Sequence, residues 1–335
     1  MIVSVTVKAY DVLPYPSYDF AYNTTADSDT FWTMVAYFHS QIPPLVKSGL
    51  MGYFWVTPFE ALETNATIQG KLYGEWLAPN MSMNQVRQHL ATLEEYIKSA
   101  DLGDAVFVSG NGEERPDYTK GFAAVNDPDT AGIPVRLGSR LLDRKALSKP
   151  LSELKVALRK ASGGSARWPI LGHVIAGPGT WSPKGGIAGG SDAVLPAWRK
   201  ACMQMGKISP DLCDKYTLTR SPTALPRSWD PLDQTQFDQI TTSLRKEDVQ
   251  VLRNLAPDMG AYVNEADPTE PNWEDTFYGE NYPRLLVLKK HWDPRGVFWY
   301  KNAVGSELWE PRGTHGIENG VGQKPVQLCK AEDDM

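Results

Sequence analysis

"ATIQGKLYGEWL", residues 66–77, alternates in character from one residue to the next and carries two aromatic side chains. A side-chain period of two belongs to an extended strand with one face buried. "GYFWVTP" (52–58) reads the same way, and "DAVFV" (104–108) and "WPILGHVIAG" (168–177) add two more strands. Helical stretches lie between them. Residues 29–42 place Phe31, Met34, Val35 and Phe38 at the i, i+3, i+4, i+7 spacing of one buried face. Ser82 and Gln85 make a capping box ahead of Val86, Leu90, Leu93 and Ile97. Leu151, Leu154 and Leu158 mark another helix, Pro196 opens one over 196–205, and 235–257 reads as helical up to Pro257, in one piece or two. Residues 110–130 read as a polar loop. Strands this aromatic and alternating differ from the continuous Val/Ile runs of a doubly wound parallel sheet. They predict an α+β layer: an antiparallel sheet with helices on one face.

Composition narrows the partners. The 335-residue chain is 41% hydrophobic and 22% charged, ordinary for a globular protein that buries a core. A net charge of −6 argues against a nucleic-acid backbone or an anionic membrane as the main partner. No apolar run approaches the roughly 20 residues that cross a bilayer. Cys202, Cys213 and Cys329 show no metal-ligand spacing; Cys202 and Cys213 can pair only if the intervening chain turns back on itself. The five His are scattered (His39, His89, His173, His291, His315), so no zinc site is expected. "GPGTWSPKGGIAGG" (177–190) is glycine-rich without a Lys-Ser/Thr, and Ser182 stands where a dinucleotide fingerprint needs its third Gly, so it reads as a surface loop.

Three sequons, at Asn23, Asn65 and Asn80, sit in turn-like polar surroundings and are expected at the surface, where a secreted protein would carry glycans. "MIVSVTVKAY" has neither the basic nor the apolar region of a signal peptide. Its residues 2–10 alternate as a strand that starts with no approach, which suggests sequence lost upstream. Localisation is therefore left open.

The C-terminal part carries the most specific pattern. Asn272 and Asp275 are placed to cap a short helix through Trp273 and Phe277, closed by Gly279. Asn281 then caps a second, with Pro283 in its first turn, Leu285, Leu286, Leu288 and Trp292 as its apolar side, and Lys289 and Lys290 near its end. Asp293-Pro294-Arg295-Gly296 has the residues of a type I turn. The series Tyr262-x-Asn264-x-x-Asp267, Trp273, Phe277-x-Gly279-x-Asn281-Tyr282-x-Arg284-Leu285, Asp293-Pro294 and Phe298 resembles the berberine-bridge-like segment of FAD-linked oxidoreductases in the vanillyl-alcohol-oxidase superfamily, fungal type. "AVLPAWRKA" (193–201) and "VSVTVKAY" (3–10) resemble further landmarks of the family, so the resemblance spans nearly the whole chain.

That resemblance implies a substrate-binding α+β domain over 1–255, a berberine-bridge-like segment over 256–312 that would complete a flavin domain, and a polar tail over 313–335. The flavin-binding half, which in the family holds FAD through a His and often a Cys, is not found ahead of Met1. The resemblance also implies hydride transfer from a small-molecule substrate to FAD, reoxidation by oxygen, a place in fungal secondary-metabolite biosynthesis, and a flavin domain supplied elsewhere, such as by a separate chain. The alternative is a flavin-free remnant: a small-molecule binding or cyclisation scaffold, or an inactive shortened chain. Asn264, Asn281 and Tyr282 are the implied flavin contacts. Plant members carry a catalytic Tyr where this chain has Glu265, so Glu265 becomes the candidate base and Tyr262 the next. On an extended strand, with Val263 and Glu265 sharing one side, an aromatic pocket would raise the Glu265 pKa by desolvation. The competing reading makes Glu265 a surface carboxylate or the partner of an Arg. The absent phosphate cradle gives a first prediction: the chain purified alone lacks the yellow absorbance of oxidised flavin, read from its visible spectrum.

Overall fold

A computed structural model describes residues 4, 11, 13–61, 68–99, 102–103, 106–117, 137–163, 169–181, 193–208, 242–312 and 327–331. The expected first strand over 2–10 and the sequon at Asn65 lie outside them, as do 182–192, Cys213 and 235–241. Seven strands form one antiparallel sheet: β1 (Ser17–Thr25), β2 (Met51–Ala61), β3 (Ile68–Leu77), β4 (Val106–Glu113), β5 (Leu137–Asp143), β6 (Ile170–Val174) and β7 (Ala201–Ile208), in the order β4-β1-β3-β2-β6-β7-β5. The quoted stretch is its centre. β3 pairs along its length with β1 on one side (Ser17 with Leu77, Tyr22 with Leu72) and β2 on the other (Met51 with Leu77, Trp55 with Tyr73).

Three helices cover one face: α1 (Asp29–Ser48), α2 (Met83–Ile97) and α3 (Leu151–Ala161). The Ser28 hydroxyl accepts from the Phe31 N–H at the start of α1, and Gly49 in the left-handed region closes it with its N–H on the Leu45 and Val46 carbonyls. The helix runs six residues past the expected end, through Pro43 and Pro44. Its apolar face, including Phe31, Met34, Val35 and Phe38, is buried against Phe20 and Tyr22 of β1, Phe54 of β2 and Trp76 of β3. Close approach needs small residues: a Cβ on Gly172 of β6 would come within 2.0 Å of the Phe54 ring. The Ser82–Gln85 capping box opens α2 as expected. His39 is fully buried, its Nδ1 2.7 Å from the Val35 carbonyl, and burial lowers its pKa to about 4.

The structure corrects several expectations. Pro196–Arg199 is only a single 3-10 turn, and the chain then enters β7, because Met203 and Met205 alternate into the core while both edges pair, with β6 and β5. β4 carries the "DAVFV" strand on to Glu113, inside the expected loop. Asn23 is no surface turn: it is buried within β1, between Lys71 and Val106 of the neighbouring strands, whereas Asn80 is exposed in a turn. The described part of the stretch before Pro257 is helical in two pieces, within the expectation: a π turn over Leu244–Asp248 running into α4 (Val249–Leu255). The C-terminal part adds α5 (Trp273–Tyr278), α6 (Tyr282–Trp292) and a hairpin of β8 (Trp309–Arg312) with β9 (Gln327–Lys330). No helix among the described residues is long and apolar enough to cross a membrane.

Phe38 is fully buried among four rings. Phe38→Ala is expected to cost about 3–5 kcal/mol, and Ser82→Ala, which removes one cap, about 1 kcal/mol. Urea unfolding of the two variants checks the ratio.

Candidate functional site

The side of the sheet away from α1, α2 and α3 is polar and aromatic. In β6, Ile170, Gly172 and Val174 are buried, while Leu171 and His173 alternate to the other side and are partly exposed. His173 pairs in register with Tyr53 of β2 and Gln204 of β7, so all three project from the same face. The Tyr53 ring meets the imidazole edge to face, with centroids 5.1 Å apart. Further along this face Lys71 lies over the Tyr73 ring at 4.3 Å.

The segment after α4 is fastened to the sheet edge. Arg140 of β5 is buried, and its guanidinium donates to the carbonyls of Ala256 and Pro257, which end α4. The Leu141 N–H then donates to the Gly260 carbonyl at 2.8 Å, and Ala261 N–H to Thr276 O at 3.0 Å. Held this way, Val263–Glu265 is a 3-10 turn and not the expected extended strand. The turn sets Glu265 against the sheet: Gln204 Nε2 donates to its Oε2 at 2.8 Å, and His173 Nδ1 lies 3.3 Å from the same oxygen. The expected rise in its pKa is therefore reversed. The hydrogen bond from His173, then its charge and the Gln204 amide, outweigh desolvation and hold the Glu265 carboxyl below the usual range. Its partner is a histidine and an amide, and not the Arg of the competing reading.

Tyr262 stands beside this pair. Its hydroxyl accepts from Asn264 Nδ2 at 2.7 Å, and its ring meets Trp198 edge to face. Asn264 is exposed. The other implied flavin contacts are engaged inside the segment. Asn281, which makes no side-chain cap, donates to the Val194 carbonyl at 2.9 Å. The Tyr282 hydroxyl donates to Glu307 at 2.7 Å and accepts from the Gly305 N–H, and burial with the Glu307 bond raises its pKa well above the tyrosine norm. Asn272 likewise makes no side-chain cap.

The apolar side expected for α6 is not buried. None of its residues reaches the interior, and Val287 (68% exposed) and Trp292 (78%) stand with Phe298 (77%) on an uncovered surface. The Asp293–Gly296 turn forms as expected, closed by the Gly296 N–H on the Asp293 carbonyl. A cavity of about 530 Å³ lined by Lys47, Arg144, Trp181, Arg199, Lys200 and Cys202 holds none of the site residues read from the sequence. His173, Tyr53 and Gln204 escaped that reading. A lone His in an alternating strand carries no spacing signal; only its register beside two polar strand neighbours marks it.

Comparison with known proteins places this geometry. Residues 261–305 match the family model "Berberine and berberine like". An "Uncharacterized FAD-linked oxidoreductase" of Arthroderma benhamiae is 30% identical over 92% of this chain and 49% of its own length. "FAD-linked oxidoreductase apf9" of Gibberella fujikuroi is 29% identical over 92% of this chain and 50% of its own. The fold is that of the VAO-type flavoprotein MtVAO713 from Myceliophthora thermophila (TM-score 0.77, 22% identity, 96% of this chain and 51% of that one). Residues 261–305 are thus a berberine-like segment, and the chain as a whole is similar to about half of each of these FAD-linked oxidoreductases. It spans about half the length of the curated relatives it matches.

FAD is the cofactor named for these relatives, and the polar and aromatic groups described here are of a kind that could line the substrate side of a flavin. Tyr53, His173, Glu265 and Gln204 form a polar and aromatic surface opposite the helices, with Tyr262 and the exposed Asn264 at its margin. Asn281 and Tyr282 would act from behind, by holding the segment in shape.

Because the folded-state pKa of Glu265 is depressed, its stabilising contribution is complete above the ordinary glutamate value of 4.5 and is lost as pH falls through the lower folded value. The stability gap between the parent chain and Glu265→Gln is thus expected to be widest near neutral pH and to close in acid. Urea midpoints across an acid pH series measure it, and a gap that widens in acid contradicts the assignment.

Proposed function

We propose that this chain is the substrate-binding half of a FAD-linked oxidoreductase that oxidises a small metabolite, with oxygen as the final acceptor. The observation that supports this best is the Glu265–His173–Gln204 cluster on the sheet face opposite the helices, set there by the segment that matches the berberine-bridge-like model. When bound, FAD supplies a two-electron acceptor for hydride from a C–H bond. The chain's own part is to bind and orient the substrate with Tyr53 and Tyr262, and to hold a proton-accepting group where the substrate's polar atom will lie. The role in fungal secondary metabolism rests on the resemblance to fungal-type members. In a secreted parent, Asn80 is the sequon among the described residues whose exposure suits a glycan.

The partner follows from an uncovered surface. Val287, Leu288, Trp292, Val297 and Phe298 form an exposed apolar group on α6 and the following turn, far more than scattered surface residues require. We assign it to the flavin-binding half, since the chain accounts for only about half of its relatives' length. Co-produced with the N-terminal half of the Arthroderma benhamiae relative, the chain is expected to co-purify as a yellow complex, bleached without oxygen by at least one member of a panel of small alcohols and amines. Trp292→Ser with Phe298→Ser should weaken the complex at least tenfold while the chain's own circular dichroism is unchanged. A flavin half that never associates, or a complex that no panel member bleaches, favours the binding-scaffold reading.

A further inference from the structure

We infer that the proton acceptor of the site is Nε2 of His173, and that Glu265 is its positioning residue and not the base. This rests on the oxidoreductase reading above. Nδ1 lies 3.3 Å from Glu265 Oε2, so in the neutral ring the Nδ1 proton is drawn to the carboxylate and Nε2 is left bare. A carboxylate behind an imidazole selects its tautomer, fixes the ring plane and stabilises the imidazolium. The Gln204 amide, itself buried, donates to the same oxygen at 2.8 Å and fixes the carboxylate in turn. The Tyr53 ring on β2 holds the imidazole from the other side. No hydrogen bond to Nε2 occurs among the described residues, and the side chain is 14% exposed, enough for a small molecule to reach its edge.

Glu265 is the poorer candidate for the base itself. Two donors converge on one of its oxygens, and both favour the ionised form. Tyr262 keeps its hydroxyl on Asn264. The groups facing His173 are Glu265 from the turn, Gln204 from β7 and Tyr53 from β2, with Glu75 one strand further on, opposite Tyr53. The step then balances. The substrate O–H proton moves to Nε2, its bonding electrons close the C=O bond, and the carbinol hydrogen departs with its electron pair as hydride to an oxidised flavin. An imidazolium–carboxylate pair remains, which releases its proton to water.

The dyad can be read without flavin. In the full chain with histidine ring nitrogens labelled, one of the five His resonance sets, identified by its loss in His173→Gln, is expected to show a protonated Nδ1 and a bare Nε2 in the neutral form. Glu265→Ala should shift that proton to Nε2. A parent ring already protonated at Nε2, or a tautomer indifferent to Glu265→Ala, overturns the inference. In the yellow complex, His173→Gln should slow anaerobic flavin reduction by about 10²–10⁴-fold, chiefly in kcat, with flavin content unchanged. Reduction at the parent rate overturns the role of His173 as acceptor. A parent complex that no panel member bleaches counts against the oxidoreductase reading alone, because the tautomer still decides the dyad.

Discussion

Arg140 ties the two parts of this molecule together. Its guanidinium is buried in the edge strand β5 and donates to the carbonyls of Ala256 and Pro257, where α4 has run out of helical partners. Burial, with the like charge of Arg253, holds its pKa below the usual arginine value, and Glu270, itself paired to Arg253, offsets this only in part. Without that donor, the carbonyl of buried Ala256 would lose its partner, at a cost of roughly 1–3 kcal/mol. Arg140 is followed directly by Leu141, whose N–H takes the Gly260 carbonyl and so covers part of the open edge of the sheet. From there only four residues lead to Glu265. The position of the carboxylate over His173 is set by how the chain leaves a helix on the far side of the sheet.

The two faces of the sheet divide the work. Alternation along each strand sends Phe20, Tyr22, Phe54, Leu72 and Trp76 under the helices, where stacked and edge-on rings fill the core. The same alternation sends Tyr53, Tyr73, Glu75, His173 and Gln204 to the other side. A face bearing these groups cannot be buried by apolar helices without stranding its polar atoms. At Tyr53 it stays exposed, while Gln204 is buried beneath the Glu265 turn, and the core backs both. Rigid backing is what a reacting group needs, since small misplacements are costly in rate.

What was legible in the sequence follows from which forces are local. The capping box at Ser82, the α1 stripe and the Asp293–Gly296 turn depend on neighbours within four residues, and each formed as read. The helix expected after Pro196 failed because "ACMQMGKI" is decided by pairing with β5 and β6, residues remote in the chain, against a local pattern that suits either state. The family resemblance points to Glu265, but the aromatic pocket it suggests would raise the carboxyl pKa, whereas the structure sets His173 and the Gln204 amide there, and they lower it. Asn23 failed for a related reason, since a polar triplet looks like a turn until strands on both sides claim it.

The turn that follows α6 shows how the remaining uncovered surface is kept ready. The Asp293 carboxylate accepts from Lys289 Nζ at 2.7 Å, from the Val297 N–H at 2.8 Å and from the Phe298 N–H at 3.0 Å. Lys289 Nζ also donates to the Phe298 carbonyl, and the Trp299 indole donates to Ser306. Gly296, in the left-handed region, lies so close to Trp309 that a Cβ would sit 2.6 Å from its ring. All of these bonds order a loop whose side chains Val297 and Phe298 touch little of the chain itself. Fixing the turn before association removes an entropic cost that a flexible loop would meet on binding. In the reading proposed above, this stiff apolar surface is what the flavin-binding half would meet, and its order is in place before the two associate.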